Sequence, residues 1–132
     1  MKKKILLITM ALMLLLTLTG CSSKVVGTWS NHVASKMTLE LNEDKTFTYS
    51  DKIGSSTSVY TGTYTVSGKT ITLNSNEYSY TSRNYNSGFG MPSGEEYSTK
   101  TESSYKVFEA EYGSYEGEAC IVLDGYRLYR AD

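Results

Sequence analysis

The chain has 132 residues, with 13 Lys and Arg against 14 Asp and Glu, one His, two Cys and one Pro. That length holds one domain, and a near-neutral balance with a pI of about 5.8 offers no basic field for nucleic acid. These averages hide a division, because residues 1–20 differ in kind from the rest.

In chain order, Met1-Lys2-Lys3-Lys4 precedes an apolar run from Ile5 to Leu18, interrupted by Thr9 and Thr17. A basic start before such a run has the plan of a secretory signal, and the run is short for a membrane-spanning helix. It leads into Leu18-Thr19-Gly20-Cys21, which resembles the bacterial lipobox: Leu, a small residue, Gly or Ala, then Cys. The resemblance implies a signal peptide over 1–20, lipid modification of Cys21 as first mature residue, and anchoring on the extracytoplasmic side of a bacterial cell membrane. The other reading is a plain membrane helix, or an uncleaved signal, with a Cys nearby. An acyl chain contributes about 0.8 kcal/mol per buried CH₂, so two or three chains on one Cys hold a small domain durably. Ser22 follows Cys21, where an Asp would signal inner-membrane retention in some bacteria.

With Cys21 an anchor, no disulfide within the chain is expected and Cys120 is an odd thiol. Its neighbours Ala119, Ile121, Val122 and Leu123 argue for a buried small hydrophobe. A reactive or intermolecular thiol is the alternative.

Residues 21–132 carry 10 Lys and Arg (13 minus Lys2, Lys3 and Lys4) and all 14 acids, a side-chain charge of −4. Ile, Leu, Val and Met number 17 there against 16 aromatics, 12 of them Tyr, so Tyr supplies much of the buried area. Low net charge, β-branched residues and abundant Tyr point to strands rather than disorder.

Met37, Leu39 and Leu41 alternate with polar residues, as do Phe47 and Tyr49, then Ile71 and Leu73. Turn residues lie between them: Asn42-Glu43-Asp44-Lys45, Ser67-Gly68-Lys69 and Asp124-Gly125. The spacing predicts strands near 25–31, 36–42, 45–50, 57–66, 69–75 (with extension through 83 as an option), 97–109, 117–124 and 126–130. Apolar residues nowhere recur at helical spacing over three turns. The expectation is an all-β domain over 25–132, after a signal helix and the tether 21–24. Its architecture is a small antiparallel up-and-down barrel of about eight strands, closed to remove its edges.

Residues 84–96 hold three Gly and the single Pro. They read either as a plain surface loop or as a lid or binding loop carrying Tyr85, Phe89 and Met91. Seven Glu against Lys100 and Lys106 within 95–118 read as the solvated face of two strands rather than as a cation site.

Several of these elements together carry a second resemblance. Val25-Val26-Gly27-Thr28-Trp29 is followed by the alternation, the Asn42–Lys45 turn, Thr46-Phe47-Thr48, and Gly62-Thr63-Tyr64-Thr65-Val66-Ser67-Gly68-Lys69-Thr70-Ile71-Thr72-Leu73. This order is similar to the lipocalin-like domains of small bacterial lipoproteins, which start Gly-x-Trp and continue Gly-x-Tyr-x-hydrophobic, turn, Ile-x-Leu. The similarity covers 25–74, with 117–130 as a closing hairpin. It implies structural roles for Gly27, for Trp29 as plug of the closed end, and for an Arg of the last strand stacked across the indole. Arg127 and Arg130 are the candidates, and strand parity with Leu128 favours Arg130. Such a contact contributes about 0.5–2 kcal/mol. The domain is shorter than a true lipocalin and no helical stretch follows its last strand, so the implied barrel is a reduced one.

Alternation selects Leu39, Leu41, Phe47, Tyr49, Tyr60, Tyr64 and Ile71 as candidate lining of a ligand cavity, with plain core as their other reading. An eight-stranded interior just holds its own side chains or one small ligand. Two functions are open. One is a lipid-anchored cell-envelope module binding a small hydrophobic or amphipathic ligand. The other is a surface interaction module with a filled barrel, using loop 84–96 to hold an envelope protein.

Enzyme chemistry is disfavoured, and no catalytic residue, metal or cofactor is expected. His32, the single His, sits in an expected loop without a nucleophile motif. One His and one remaining thiol do not make a tetrahedral zinc site, and no Gly-rich phosphate loop precedes a helix. Glu95 and Glu96 are adjacent, and adjacent strand side chains point apart.

Ser22, Ser23 and Lys24 alone separate Cys21 from the first expected strand, a reach of about 10–15 Å. That rests the barrel against the membrane. With strands alternating in direction, turns 42–45 and 67–69 fall at the Val25 end. Loops 31–35, 51–56 and 76–96 then surround an outward mouth.

Overall fold

The computed structural model describes residues 24–31, 36–85 and 95–131. Cys21, His32, Phe89, Met91 and segment 1–20 lie outside the described residues. Eight strands run in chain order: β1 (Gly27–Ser30), β2 (Lys36–Leu41), β3 (Thr46–Ile53), β4 (Ser56–Ser67), β5 (Thr70–Tyr85), β6 (Glu95–Tyr115), β7 (Glu118–Leu123) and β8 (Tyr126–Arg130). Each pairs antiparallel with the next. β8 returns to β1 through Trp29↔Arg130 and Ser30↔Tyr129, which closes the ring. The fold is all-β, with no helix among the described residues.

The alternation of the sequence becomes the inside and outside of this ring. Trp29, Leu39, Leu41, Phe47, Tyr64, Ile71, Leu73, Ile121, Leu123 and Leu128 are each 0–1% exposed and form one core cluster. Burying an aliphatic or Phe side chain of this kind contributes about 1.5–3 kcal/mol. Tight turns join several strands. Glu116-Gly117 and Asp124-Gly125 both have two successive positive φ values, 52° and 82°, then 51° and 80°. That is the type I′ form whose twist matches flanking antiparallel strands.

Three boundaries differ from the expectation. Asp51, Lys52 and Ile53 belong to β3, so the expected loop 51–56 shrinks to a turn at Gly54-Ser55. β5 runs to Tyr85 and β6 begins at Glu95, with Asn84↔Glu96 and Tyr85↔Glu95 in register. Tyr85 is therefore a strand residue and not part of a loop, and 76–85 is strand rather than loop. β6 also continues past 109 to Tyr115 before turning. For β3 and for the β5–β6 hairpin the cause is the same: a ladder between two polar strands satisfies the backbone without apolar alternation, and Ser, Thr and Tyr fit its surface. The end of β6 is held instead by the apolar β7, from Ala110↔Leu123 to Tyr115↔Glu118.

Val25, the turns after β2 and β4, and Arg130 share one end of the ring, while the tips of β5 and β6 lie at the other. The Val25 end is closed by side chains. Trp29 Nε1 donates to the Val25 carbonyl at 2.8 Å, and its ring meets Tyr112 edge-on, with centroids 6.0 Å apart. The Arg130 guanidinium lies 4.6 Å from the Trp29 ring centroid. It also donates to the Val26 carbonyl at 3.0 Å and the Lys24 carbonyl at 2.6 Å. Tyr64 donates its hydroxyl to the Asn42 carbonyl at 2.7 Å, tying β4 to the β2–β3 turn. Gly27, at φ 136°, holds a backbone shape that side-chain-bearing residues rarely adopt.

The wall bends where β4, β5 and β6 change register. Gly62 pairs with Ser75 and Thr61 with Glu77, leaving Asn76 as an extra residue on β5. Opposite it, β6 supplies Ser104 and Tyr105 between the pairs Ser75↔Lys106 and Glu77↔Ser103. Such bulges sharpen local twist. Ser75 is fully buried and donates to the Thr61 and Glu77 carbonyls at 3.2 and 3.1 Å, which pins the bend. A Cβ at Gly62 would stand 2.0 Å from the Asn74 carbonyl oxygen, so the strands approach here only because this residue is glycine.

Cys120 is a free, buried thiol, yet it is not part of the core cluster. Ala119, Ile121 and Leu123 take the inward positions of β7, so Cys120 occupies the outward face beside Gly113 and Tyr129.

Candidate functional site

Above the core, toward the end opposite Val25, the inner face of β3–β6 changes from aliphatic to aromatic. The register places Tyr49 on β3 opposite Tyr60 on β4, and Tyr60 opposite Tyr78 on β5. Their rings form a row: Tyr49 and Tyr60 stack with centroids 6.0 Å apart, and Tyr60 and Tyr78 lie 4.7 Å apart at 34°. Phe108 of β6 meets Tyr49 and Tyr60 edge-on at 5.5 and 4.9 Å. Aromatic pairs at these separations each contribute about 0.5–1.5 kcal/mol beyond area burial, so the row is a rigid floor. Tyr60 is its hub, touching all three other rings.

Polar groups surround the hub. Lys106, inward-facing on β6, places Nζ 4.5 Å from the Phe108 centroid and 5.2 Å from that of Tyr60. Asp51 lies on the same face as Tyr49, two residues along β3 and in register with Met37 and Ser58. Its Oδ1 is shielded from solvent and has no hydrogen-bond partner among the described residues. The Tyr78 and Ser58 hydroxyls are bonded at 3.3 Å, and Tyr80 donates to Ser56 at 3.0 Å. Lys100 and Glu102 form an exposed ion pair.

Burial pushes the Tyr49 phenol well above its ordinary pKa, and the negative charges of Asp124 and Asp51 add to the shift. Tyr60 is raised as well, by burial first, then by Tyr78, Asp124 and Asp51. Both phenols therefore stay protonated at physiological pH and both keep a donor. A buried unpaired acceptor is uncommon and costs about 1–3 kcal/mol where it occurs. The arrangement brings flat apolar ring faces, hydroxyl donors and an ammonium to one inner face, with the Asp51 carboxylate two residues along β3 from Tyr49.

Of the residues that alternation selected as lining, Leu39, Leu41, Phe47, Tyr64 and Ile71 are enclosed in the core, each 0–1% exposed. Tyr49 and Tyr60 border the mouth, Tyr49 buried and Tyr60 half-buried. Asp51, Tyr78, Lys106 and Phe108 were not among those candidates. Tyr78-Ser79-Tyr80-Thr81 repeats the period-two pattern and signals Tyr78. Phe108 follows from carrying the inward parity back from Ala110. Asp51 has no such signal, because a polar residue at the end of a strand reads as loop.

A separate shallow groove of about 300 Å³ lies on the outer wall where β5, β6 and the β7–β8 turn meet, lined by Thr70, Glu109, Ala110, Glu111, Val122, Asp124 and Gly125. Among the described residues, no group of three or more His, Cys, Asp or Glu is placed to hold a metal ion. No protein-family model, curated protein or solved structure matches the chain.

Proposed function

We propose that this chain is a lipid-anchored bacterial envelope lipoprotein with a lipocalin-like barrel, which binds a small amphipathic ligand at the aromatic mouth. It is a binding module and not an enzyme. The observation that carries this reading is the Tyr49, Tyr60, Tyr78 and Phe108 floor with the orphaned Asp51 oxygen at its edge. Fixed ring faces take an apolar body at little entropic cost, while nearby polar groups orient a head group. Support for the anchor comes from the lipobox-like Leu18-Thr19-Gly20-Cys21. Support for the outward mouth comes from its position at the end opposite Val25. Trp29 and Arg130 stand where a lipocalin-like closed end would have them.

Native mass spectrometry of protein taken from the membrane fraction tests the binding step. A bound small molecule that is lost on Tyr60→Ala supports the reading, and an apo species that also ignores hydrophobic probes overturns it. Cys21→Ser tests the anchor, since the variant should leave the membrane fraction.

A second reading is favoured by a different observation. Pairing of β6 with β7 begins at Ala110↔Leu123, so from Glu95 to Glu109 no described strand covers that edge of β6. An uncovered edge is a template for an added strand. In this reading the filled barrel presents its long β5–β6 hairpin, with segment 86–94, to an envelope protein. Deleting 86–94 separates the two: partner capture should vanish while small-ligand binding survives.

A further inference from the structure

We infer that the head group taken by the mouth is a primary ammonium, held by Asp51; this rests on the amphiphile reading above and specifies its ligand chemistry.

The first ground is the orphaned Asp51 Oδ1, an acceptor withdrawn from water and given no donor among the described residues. An N–H or O–H brought by a ligand can satisfy it, and a cationic donor does so best, because charge-assisted bonds are roughly twice as strong as neutral ones. The carboxyl torsion of Asp is broad, so a modest swing presents Oδ1 to the mouth. The second ground is the electronic character of the floor. Ring faces carry negative potential and attract cations within about 6 Å. Lys106 demonstrates this within the protein, its own ammonium lying over Phe108 and Tyr60. The third is charge: Asp124 and Asp51 both raise the Tyr49 and Tyr60 phenols, so two carboxylates stand near these rings.

The three groups have distinct tasks. Asp51 receives an N–H, the tyrosine faces hold the methylenes next to the nitrogen, and Lys106, over Phe108 and Tyr60, opposes a second cation. A quaternary ammonium satisfies the rings but has no N–H for Asp51, so the site distinguishes amines by their hydrogens.

The test uses the mature chain with Cys21→Ser, because the closed ring and its core lie within 24–131. Hexylammonium, hexyltrimethylammonium, hexyl glucoside and hexyl sulfate are titrated at pH 7 and followed by NMR. Hexylammonium should bind at least about tenfold more tightly than the quaternary and nonionic probes, matching a charged hydrogen bond. Asp51→Asn should remove that preference. Lys106→Met, on a side chain that is exposed and so tolerant of change, should strengthen hexylammonium binding. Equal binding of all four probes, or a preference for hexyl sulfate, overturns the ammonium assignment while leaving the amphiphile reading intact. Failure of every probe, hexyl glucoside included, overturns both.

Discussion

Arg130 and Trp29 face each other across the seam that closes the ring: the guanidinium covers the indole at 4.6 Å while its N–H groups hold the carbonyls of Lys24 and Val26. One side chain thus joins the last strand to the first and fixes where the chain enters the barrel. Arg130→Ala should lower stability by about 1–3 kcal/mol, the sum of a cation–π contact and hydrogen bonds to a charged group. Arg130→Lys should recover less than half of this, since an ammonium lacks the planar fork. Urea denaturation followed by Trp29 fluorescence measures both.

Gly62→Ala should be far more damaging than its size suggests. The added methyl would meet the Asn74 carbonyl oxygen at 2.0 Å, and that atom belongs to backbone that cannot rotate away. A loss of more than about 3 kcal/mol is expected, with collapse of the bend between barrel and hairpin. Gly113→Ala meets nothing within 4 Å and is the matched control, expected within about 0.5 kcal/mol of wild type.

Stability should fall at high pH through Tyr49. Its folded pKa is raised above the unfolded value of about 10, so the folded state holds its proton longer. The contribution is fully present below pH 10 and is lost as pH rises from there toward the folded pKa. Urea midpoints between pH 7 and 11 should fall above pH 10, and Tyr49→Phe should flatten that fall.

Asp51→Val should stabilise the empty protein by up to about 1 kcal/mol while weakening ligand binding. Removing an unpartnered buried oxygen relieves its desolvation, and a β-branched residue suits the end of β3. Opposite signs in thermal unfolding and in hexylammonium titration are the expected pattern. Loss of stability would show that the carboxylate has a structural task instead.

The sequence carries the barrel more fully than it carries the mouth, and the difference is physical. Met37, Leu39, Leu41, Phe47, Ile71 and Leu73 alternate because water lies on one side of the wall, so period two reports the core directly. Asp124-Gly125 reads as a turn because its two positive φ values demand those residues. The hairpin beyond Ser75 has polar residues on both faces, so strand pairing there is set by its neighbours and Tyr85 reads as loop. The mouth is assembled from four strands around a bend whose extra residues, Asn76 on β5 and Ser104-Tyr105 on β6, shift the register. Counting in twos from Leu73 therefore predicts the wrong face for Tyr78, beyond Asn76. Asp51 stands near enough to Tyr60 for its charge to raise that phenol, without any linear spacing that pairs them.

Chemical-shift mapping with hexylammonium tests the central claim most directly. Binding at the mouth should move the signals of Tyr49, Asp51, Tyr60, Tyr78 and Phe108 in a saturable way and leave Trp29, Tyr64 and Arg130 in place. Shifts confined to the Trp29 end, to the outer wall of β6 or to no residue at all would contradict it.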